Sequence, residues 1–266
     1  MAQSWIPSPA LQLSFAVHGA ALCALSAAPG DWPWALGALG ANQLLLTGAG
    51  LLPRTTLLGA NLNRLPAAAA ARREIALTID DGPEPEVTPR VLDLLDGAGA
   101  RASFFCIGHR ARRHPALCRE IVARGHRVEN HGDSHALAFA TFGMARLRAD
   151  IAAAQATLAD LSGEAPRFFR PTAGLRSPLL DPVLARLDLR LASWTRRAFD
   201  TRAGDPDLVH RRLTRRLAAG DILLLHDGNA ARSPAGVAVI LAVLPRLLQT
   251  LAENHLHPVT LNAALP

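Results

Sequence analysis

The sequence predicts a barrel-like α/β domain of about seven parallel strands, preceded by two transmembrane helices. Three observations predict it. Between Glu74 and Leu261, short apolar runs alternate with helical patterns of about ten or more residues, which argues for βαβ units and a parallel sheet. From Met1 to Pro53 the only charged side chain is Asp31. Half of the 266 residues are hydrophobic and 19% are charged, so the chain can bury a sizeable core, and one large domain is the default. An open doubly wound sheet is the alternative. No Gly-x-Gly-x-x-Gly turn follows the first strand, which argues against dinucleotide binding.

The chain divides into residues 1–53, a linker over 54–73 that ends in the run Ala67–Ala71, and a strand–helix domain over 74–266. Ala10 to Ala28 forms a 19-residue apolar segment broken only by Gln12, Ser14, His18 and Ser26. Pro29–Gly30–Asp31 reads as a turn, and Trp32 to Leu52 supplies a second segment of 21 residues. Each is long enough for a hydrocarbon core about 30 Å thick at about 1.5 Å per residue. Trp32 and Trp34 beside the turn suit an interfacial aromatic belt. His18, Asn42 and Gln43 are expected to bond between the two helices. Two other readings stand beside this hairpin: a signal peptide cleaved near Ser26–Ala27–Ala28, against which there is no basic region ahead of it, and a hairpin lying along a membrane surface. Arg54, Arg64, Arg72 and Arg73 follow the second segment and no basic residue precedes the first, so the positive-inside rule favours a cytoplasmic C-terminal domain on a bacterial-type cell membrane.

Strands are expected at Glu74–Ile79, Ala102–Ile107, His126–Asn130, Arg167–Arg170, Leu189–Trp194, Asp221–Leu225 and Pro258–Leu261. Helices fall between them, around Pro89–Ala98, from His114–Pro115 to Gly125, over Met144–Leu161, around Pro178–Leu187, near Pro206–Ala218 and near Val237–Asn254. The formal charge of +6 comes from arginine alone, since lysine is absent. The arginine pairs are scattered and have no interleaved aromatics, which excludes a nucleic-acid-binding reading. Cys23, Cys106 and Cys118 show neither CxxC spacing nor a disulfide framework and read as small buried residues.

The candidate chemistry gathers at the carboxyl ends of the strands, where α/β proteins build their active sites. Thr78–Ile79–Asp80–Asp81–Gly82–Pro83 places two carboxylates at the first strand-to-loop corner, though Asp, Gly and Pro also make plain turns. Adjacent residues on an extended chain point in opposite directions, so both aspartates serve one site only if the chain bends there. The third strand ends in His131–Gly132–Asp133–Ser134–His135, and two histidines four residues apart can face one ion. With one carboxylate they form a three-ligand set for Zn²⁺ or a related divalent ion, with positions open for water and substrate. Later strand ends supply Arg170–Pro171–Thr172–Ala173–Gly174, then Trp194 with Asp200 six residues on, and Leu223–Leu224–Leu225–His226–Asp227.

These five motifs, in this order from Glu74 to Leu261, resemble the polysaccharide deacetylase family (carbohydrate esterase family four). The resemblance implies a distorted (β/α) barrel and a metal-dependent N-deacetylase. It implies Asp81, His131 and His135 as metal ligands, Asp80 as the general base that activates water, and His226 as the general acid for the departing amine. Arg170 would hold Asp80, Asp200 would support this charge network or His226, and the backbone N–H of Ala173 would help to hold the oxyanion. Zn²⁺ is the expected ion, with Co²⁺, Ni²⁺ or Mn²⁺ as substitutes. The expected substrate is an amino-sugar glycan or a lipid-linked sugar carrying an N-acetyl or N-formyl group, with membrane lipid as a partner. The competing readings are a non-catalytic carbohydrate-binding barrel and a hydrolase of a non-sugar amide or imide. The chain departs from the family pattern at Gly132, which stands for Ser or Thr, at Thr172 for proline, at Ala173 for an aromatic, and at Thr195 for an aspartate.

Overall fold

The computed structural model describes residues 5–265; the outer ends of the first and last predicted segments, residues 1–4 and Pro266, lie outside the described residues. Eight strands form one parallel sheet: β1 (Glu74–Asp80), β2 (Ser103–Cys106), β3 (Arg127–Asn130), β4 (Phe168–Phe169), β5 (Arg190–Leu191), β6 (Arg196–Arg197), β7 (Ile222–His226) and β8 (His257–Val259). The order is β5-β4-β3-β2-β1-β7-β6, with β8 pairing the first half of β1. Period-two alternation sorts the side chains. Ile75, Leu77 and Ile79 of β1, with Leu223 and Leu225 of β7, pack outward into the larger core. Ala76, Ile222 and Leu224 face inward, with Phe105, Phe168 and Trp194, into a second core on the concave side. The same alternation carries Thr78, Asp80 and His226 inward, and the register pairs Asp80 directly with His226.

Eleven helices accompany the sheet among the described residues. An N-terminal pair, α1 (Pro9–Ala27) and α2 (Trp32–Gly50), precedes the domain, and a short α3 (Ala67–Ala71) leads into β1. Then follow α4 (Thr88–Gly97), α5 (Gly108–Arg113), α6 (Pro115–Ala123), α7 (Met144–Ser162), α8 (Leu180–Arg186), α9 (Pro206–Thr214), α10 (Val239–Glu253) and α11 (Leu261–Ala264). The amphipathic face of α10 covers the outer core with Val243, Leu244, Leu247 and Leu251. Proline opens α6 and α9, where its missing N–H costs no hydrogen bond.

The sheet curls but does not close, which corrects the barrel expectation to a half-barrel. Seven strands were expected; the eighth is the two-residue β6, too short to show any periodicity. The edge strand β5 pairs with β4 alone within the sheet, and residues 61–65 fill the gap beside it. The Leu62 N–H donates to Leu191 O, the Ser193 N–H to Leu62 O, and the Leu65 N–H to Gly220 O. Thr195 Oγ1 donates to Asn63 O. The stretch read as a linker is therefore packed between the two ends of the curled sheet.

A helical hairpin forms over residues 9–50, and a second expectation needs correction here. Among the described residues, only Pro9–Ala27 is long and apolar enough to cross a membrane. Trp32–Gly50 has the length but not the composition: Asn42 and Gln43 lie mid-helix, and proline and glycine further dilute its apolar content. Asn42 Nδ2 donates across the hairpin to Ser14 Oγ at 2.9 Å, as expected, whereas His18 Nδ1 contacts the Ser14 carbonyl of its own helix. Leu13, Phe15, Leu22, Trp34 and Leu44 stand exposed along the pair. At its base the hairpin docks firmly. Leu58 packs with Leu11, Leu46 and Ala49. Gly50 O accepts from the Arg176 N–H, and a Cβ at Gly50 would lie 2.2 Å from Arg176 O, so only glycine permits this approach.

Candidate active site and metal centre

Asp80 is the last residue of β1 and points to the concave side. Asp81, the next residue, has φ +75°, so the chain turns at this point and swings the second carboxylate into the same site. The required bend is thus built at Asp81 itself. His131 directly follows β3, and its N–H continues the ladder by donating to Cys106 O. His131 Nδ1 lies 2.7 Å from the Arg170 carbonyl, which can only accept, so the proton sits on Nδ1 and the Nε2 lone pair is free. That lone pair faces Asp81 Oδ1 at 3.1 Å, and His135 Nε2 faces the same oxygen at 3.0 Å.

The ligand atoms of Asp81, His131 and His135 lie within 4.8 Å of one another. Asp81 Oδ1 is buried without a hydrogen-bond donor. Three electron pairs aimed at one point, two of them on buried residues, need a positive charge between them, so these residues fit a divalent cation. Burial alone would push the Asp81 carboxyl up, yet His131 and His135 beside it hold it well below the usual carboxylate range. Burial opposes charge on His131, and the neighbouring Asp80 and Asp81 outweigh it and raise the imidazole.

The ligand loop is braced from α7. Asp150 accepts from the N–H groups of Asp133 and Ser134, each at 3.0 Å. Gly132 has φ +76°, and a Cβ there would lie 2.8 Å from Asp150 Oδ2. The hydroxyl absent at this position is thus matched by an acid reaching in from a helix.

Asp80 and His226 each hold a buried partner. Arg170, 1% exposed, donates from Nη1 to Asp80 Oδ1 at 2.5 Å and to Thr78 Oγ1 at 3.0 Å. Its Nε and Nη2 donate to the carbonyls of Ala192 and Ser193, and its guanidinium lies 4.0 Å from the Phe105 ring centre. His226 Nδ1 meets Asp200 Oδ1 at 2.8 Å, while Asp200 Oδ2 accepts from the His226 N–H, also at 2.8 Å. Both carboxylate oxygens of Asp200 are thus engaged by His226. Burial disfavours the imidazolium, but the Asp200 carboxylate, then Asp80 and Asp81, raise it to about 9.

Asp80, Asp81, His131, His135, Ala173 and His226 line one pocket of about 800 Å³. Ala173 sits in the left-handed region at φ +56°, on a tight turn between Pro171 and Leu175. Three contributors were not singled out from the sequence. Asn229 Nδ2 donates to Asp81 Oδ2 at 3.0 Å, and Arg110 donates to Asp81 O and to Asn229 Oδ1. Asn229 follows His226 by three residues, so the strand-end argument could have reached it. Arg110 and Asp150 sit on helices outside any motif.

The polysaccharide deacetylase profile matches residues 67–192. A peptidoglycan-N-acetylglucosamine deacetylase of Bacillus cereus is 34% identical over 175 residues, spanning 65% of this chain and 81% of the relative. The chain belongs to the polysaccharide deacetylase family. A chitooligosaccharide deacetylase of Azorhizobium caulinodans is 33% identical over 155 residues, 58% of this chain and 73% of that protein. Among solved structures, the family 4 carbohydrate esterase from Streptomyces lividans in complex with acetate superposes with a TM-score of 0.63 at 31% identity, covering 70% of this chain and 91% of its own. A family 4 pseudoenzyme from Bacillus anthracis superposes at 0.69 with 20% identity over 78% of this chain and 69% of its own, a likeness of fold alone.

Proposed function

We propose that this protein is a metal-dependent hydrolase that removes an N-acetyl or N-formyl group from an amino sugar at a membrane surface. One observation carries the reading: the Asp81–His131–His135 triad, Asp80 paired behind with Arg170, and His226 paired behind with Asp200 all line one pocket. A divalent ion held by the triad would polarise the amide carbonyl and make water more acidic. The names of the relatives, which deacetylate peptidoglycan or chitooligosaccharides, support an amino-sugar substrate.

The chain's own residues divide the remaining work. Asp80 takes the proton from the attacking water, and Arg170 keeps that carboxylate oriented while it waits. His226 holds a proton at neutral pH because Asp200 stabilises the imidazolium, and it passes that proton to the departing amine nitrogen. The backbone N–H of Ala173, which also lines the pocket, is assigned to the developing oxyanion, where one such donor is typically worth ~3 kcal/mol. Asp81 orients through Asn229 and Arg110, and His131 through the Arg170 carbonyl, so Arg170 serves both the base and a ligand.

A hydrolase of non-sugar amides and a carbohydrate-binding barrel are the other readings; the complete set of acid, base and ligand residues favours catalysis. Release of acetate or formate should be followed on a panel of N-acyl amino sugars with added Zn²⁺, Co²⁺, Ni²⁺ or Mn²⁺. Asp80→Asn is expected to keep the metal and lose turnover, and Asp81→Asn to weaken metal binding itself. Full activity in both variants would refute the assignment. The length and apolar composition of α1, and the hairpin base lining the pocket through Leu51, Pro53 and Arg54, support membrane anchorage. Flotation of the full chain with phospholipid vesicles tests it, and recovery in the soluble fraction refutes it.

A further inference from the structure

The pocket has a second chemical character, away from the triad. Five arginines line it: Arg54, Arg196, Arg197, Arg202 and Arg212. Arg196 is spoken for, since it pairs with Asp221 and donates to the carbonyls of Arg215 and Arg216. The other four form no ion pair with any described residue. Arg54 donates only to Thr195 O and Arg212 only to Ala198 O.

Arg197 is the most telling of the four. Its guanidinium lies between two aromatic rings, 5.1 Å from the Trp194 centroid and 5.0 Å from that of Phe199. Its Nε is buried and has no hydrogen-bond acceptor. Burial pulls its pKa down, the Asp80 and Asp200 carboxylates push it up, and the charge of Arg202 pulls it down again. Arg212 stands over the same Phe199 ring at 5.8 Å. A half-buried cation with an orphaned donor, beside other cations, is costly unless an anion arrives. The nearby carboxylates act on it only through space, because Asp80 is bonded to Arg170, Asp81 faces the histidines and Asp200 is bonded to His226. An anionic group on the substrate would supply the acceptor that Arg197 Nε lacks.

We infer that Arg197 and Arg202, with Arg54 and Arg212 at the rim, form a subsite for a phosphate group carried by the amino sugar. The inference rests on the reading of the triad site as an amino-sugar deacylase and adds a substrate class to it. One carboxylate saturates one guanidinium fork, whereas a phosphoryl group offers further acceptor oxygens for several arginines. Arg197, fixed by its two rings, presents its fork at little entropic cost. Arg54 lies four residues beyond the end of α2, so a glycosyl phosphate on a lipid would meet a cation where the hairpin joins the pocket.

The test compares metal-loaded wild type, Arg197→Gln, Arg197→Lys and Arg202→Gln. The substrates are N-acetylglucosamine 1-phosphate, methyl N-acetylglucosaminide, N-acetylmuramic acid and a prenyl-phosphate-linked N-acetylglucosamine in phosphatidylcholine vesicles. Calorimetric binding of glucose 1-phosphate against methyl glucoside provides a readout without turnover. Wild type is expected to favour the phosphorylated over the neutral sugar by about tenfold or more in kcat/KM, the value of one charge-assisted contact. Each glutamine variant is expected to lose most of that preference, through KM, with a parallel loss of glucose 1-phosphate binding; Arg197→Lys is expected to restore part of it. Because these variants leave the triad intact, phosphate held by the metal alone would bind them as it binds wild type, and that result overturns the subsite. Equal rates on phosphorylated and neutral sugars, or a preference for the muramic carboxylate, also overturn it. Preference for the vesicle substrate identifies a lipid source, and preference for the soluble phosphate a free sugar phosphate; both support the subsite. If wild type deacylates nothing yet binds glucose 1-phosphate through Arg197, the proposed reaction fails and the subsite stands.

Discussion

Replacing Arg170 by methionine tests how much of the site's order rests on one buried cation. Methionine keeps an apolar stem against Phe105 but removes the guanidinium. Asp80, 2% exposed, then loses its ion-pair partner, and the carbonyls of Ala192 and Ser193 lose their donors. Breaking a buried pair from one side costs about 3–5 kcal/mol. Unpaired buried carbonyls add on the order of 1 kcal/mol each. A loss of about 5–7 kcal/mol is therefore expected, a large share of the ~5–15 kcal/mol that holds a typical domain. The assay is urea unfolding followed by tryptophan fluorescence, with chelator present throughout so that ion occupancy does not vary. The double variant Arg170→Met/Asp80→Asn no longer strands a carboxylate, and should recover ~2 kcal/mol of the loss. A single-variant loss below about 1 kcal/mol, or a double variant no more stable than Arg170→Met, would refute this account.

Two further outcomes follow from buried titrating groups. His226 is raised from 6.5 to about 9, so its ion pair with Asp200 stabilises fully below pH 6.5 and is lost as pH rises through about 9. Asp200→Asn should therefore move the alkaline limb of the kcat profile down by one or more pH units, ~1, and an unmoved limb would count against His226 as the acid. Glu129, buried and accepting from the Arg167 and Phe168 N–H groups, is raised by desolvation from 4.5 to about 7. The folded chain then keeps a proton that the unfolded chain has released, so stability should fall by up to about 3 kcal/mol as pH rises from 4.5 to 7. Glu129→Gln should remove that slope; parallel stability curves for the two proteins would refute it.

The catalytic strand ends were legible in the sequence because apolar runs such as Ile75–Ile79 and Ile222–Leu225 break abruptly at Asp80 and His226, and period two then decides which face those residues take. The bend after Asp80 was required by geometry, but nothing in Asp-Asp-Gly-Pro says that Asp81 itself takes the positive φ. Length alone overstated α2, where the Asn42–Gln43 pair and the glycines weigh against a span. Arg110 and Asp150 were illegible because helices bring them to the ligand loops from positions with no motif. Arg197 read as one more scattered arginine, since only its place between Trp194 and Phe199 distinguishes it. The filling of the sheet's open side by residues 61–65 is equally invisible beforehand, since those contacts join positions more than a hundred residues apart.

That filling makes the mount stiff. Residues 50–65 are tied to the half-barrel through Arg176, Leu191, Ser193, Thr195 and Gly220, so there is no slack tether between helices and catalytic head. The hairpin and the half-barrel are joined without a flexible spacer. Were the hairpin held at a membrane, as proposed above, the pocket would sit at one fixed distance from it, and the height of the acyl nitrogen would join its chemistry as a criterion of selection.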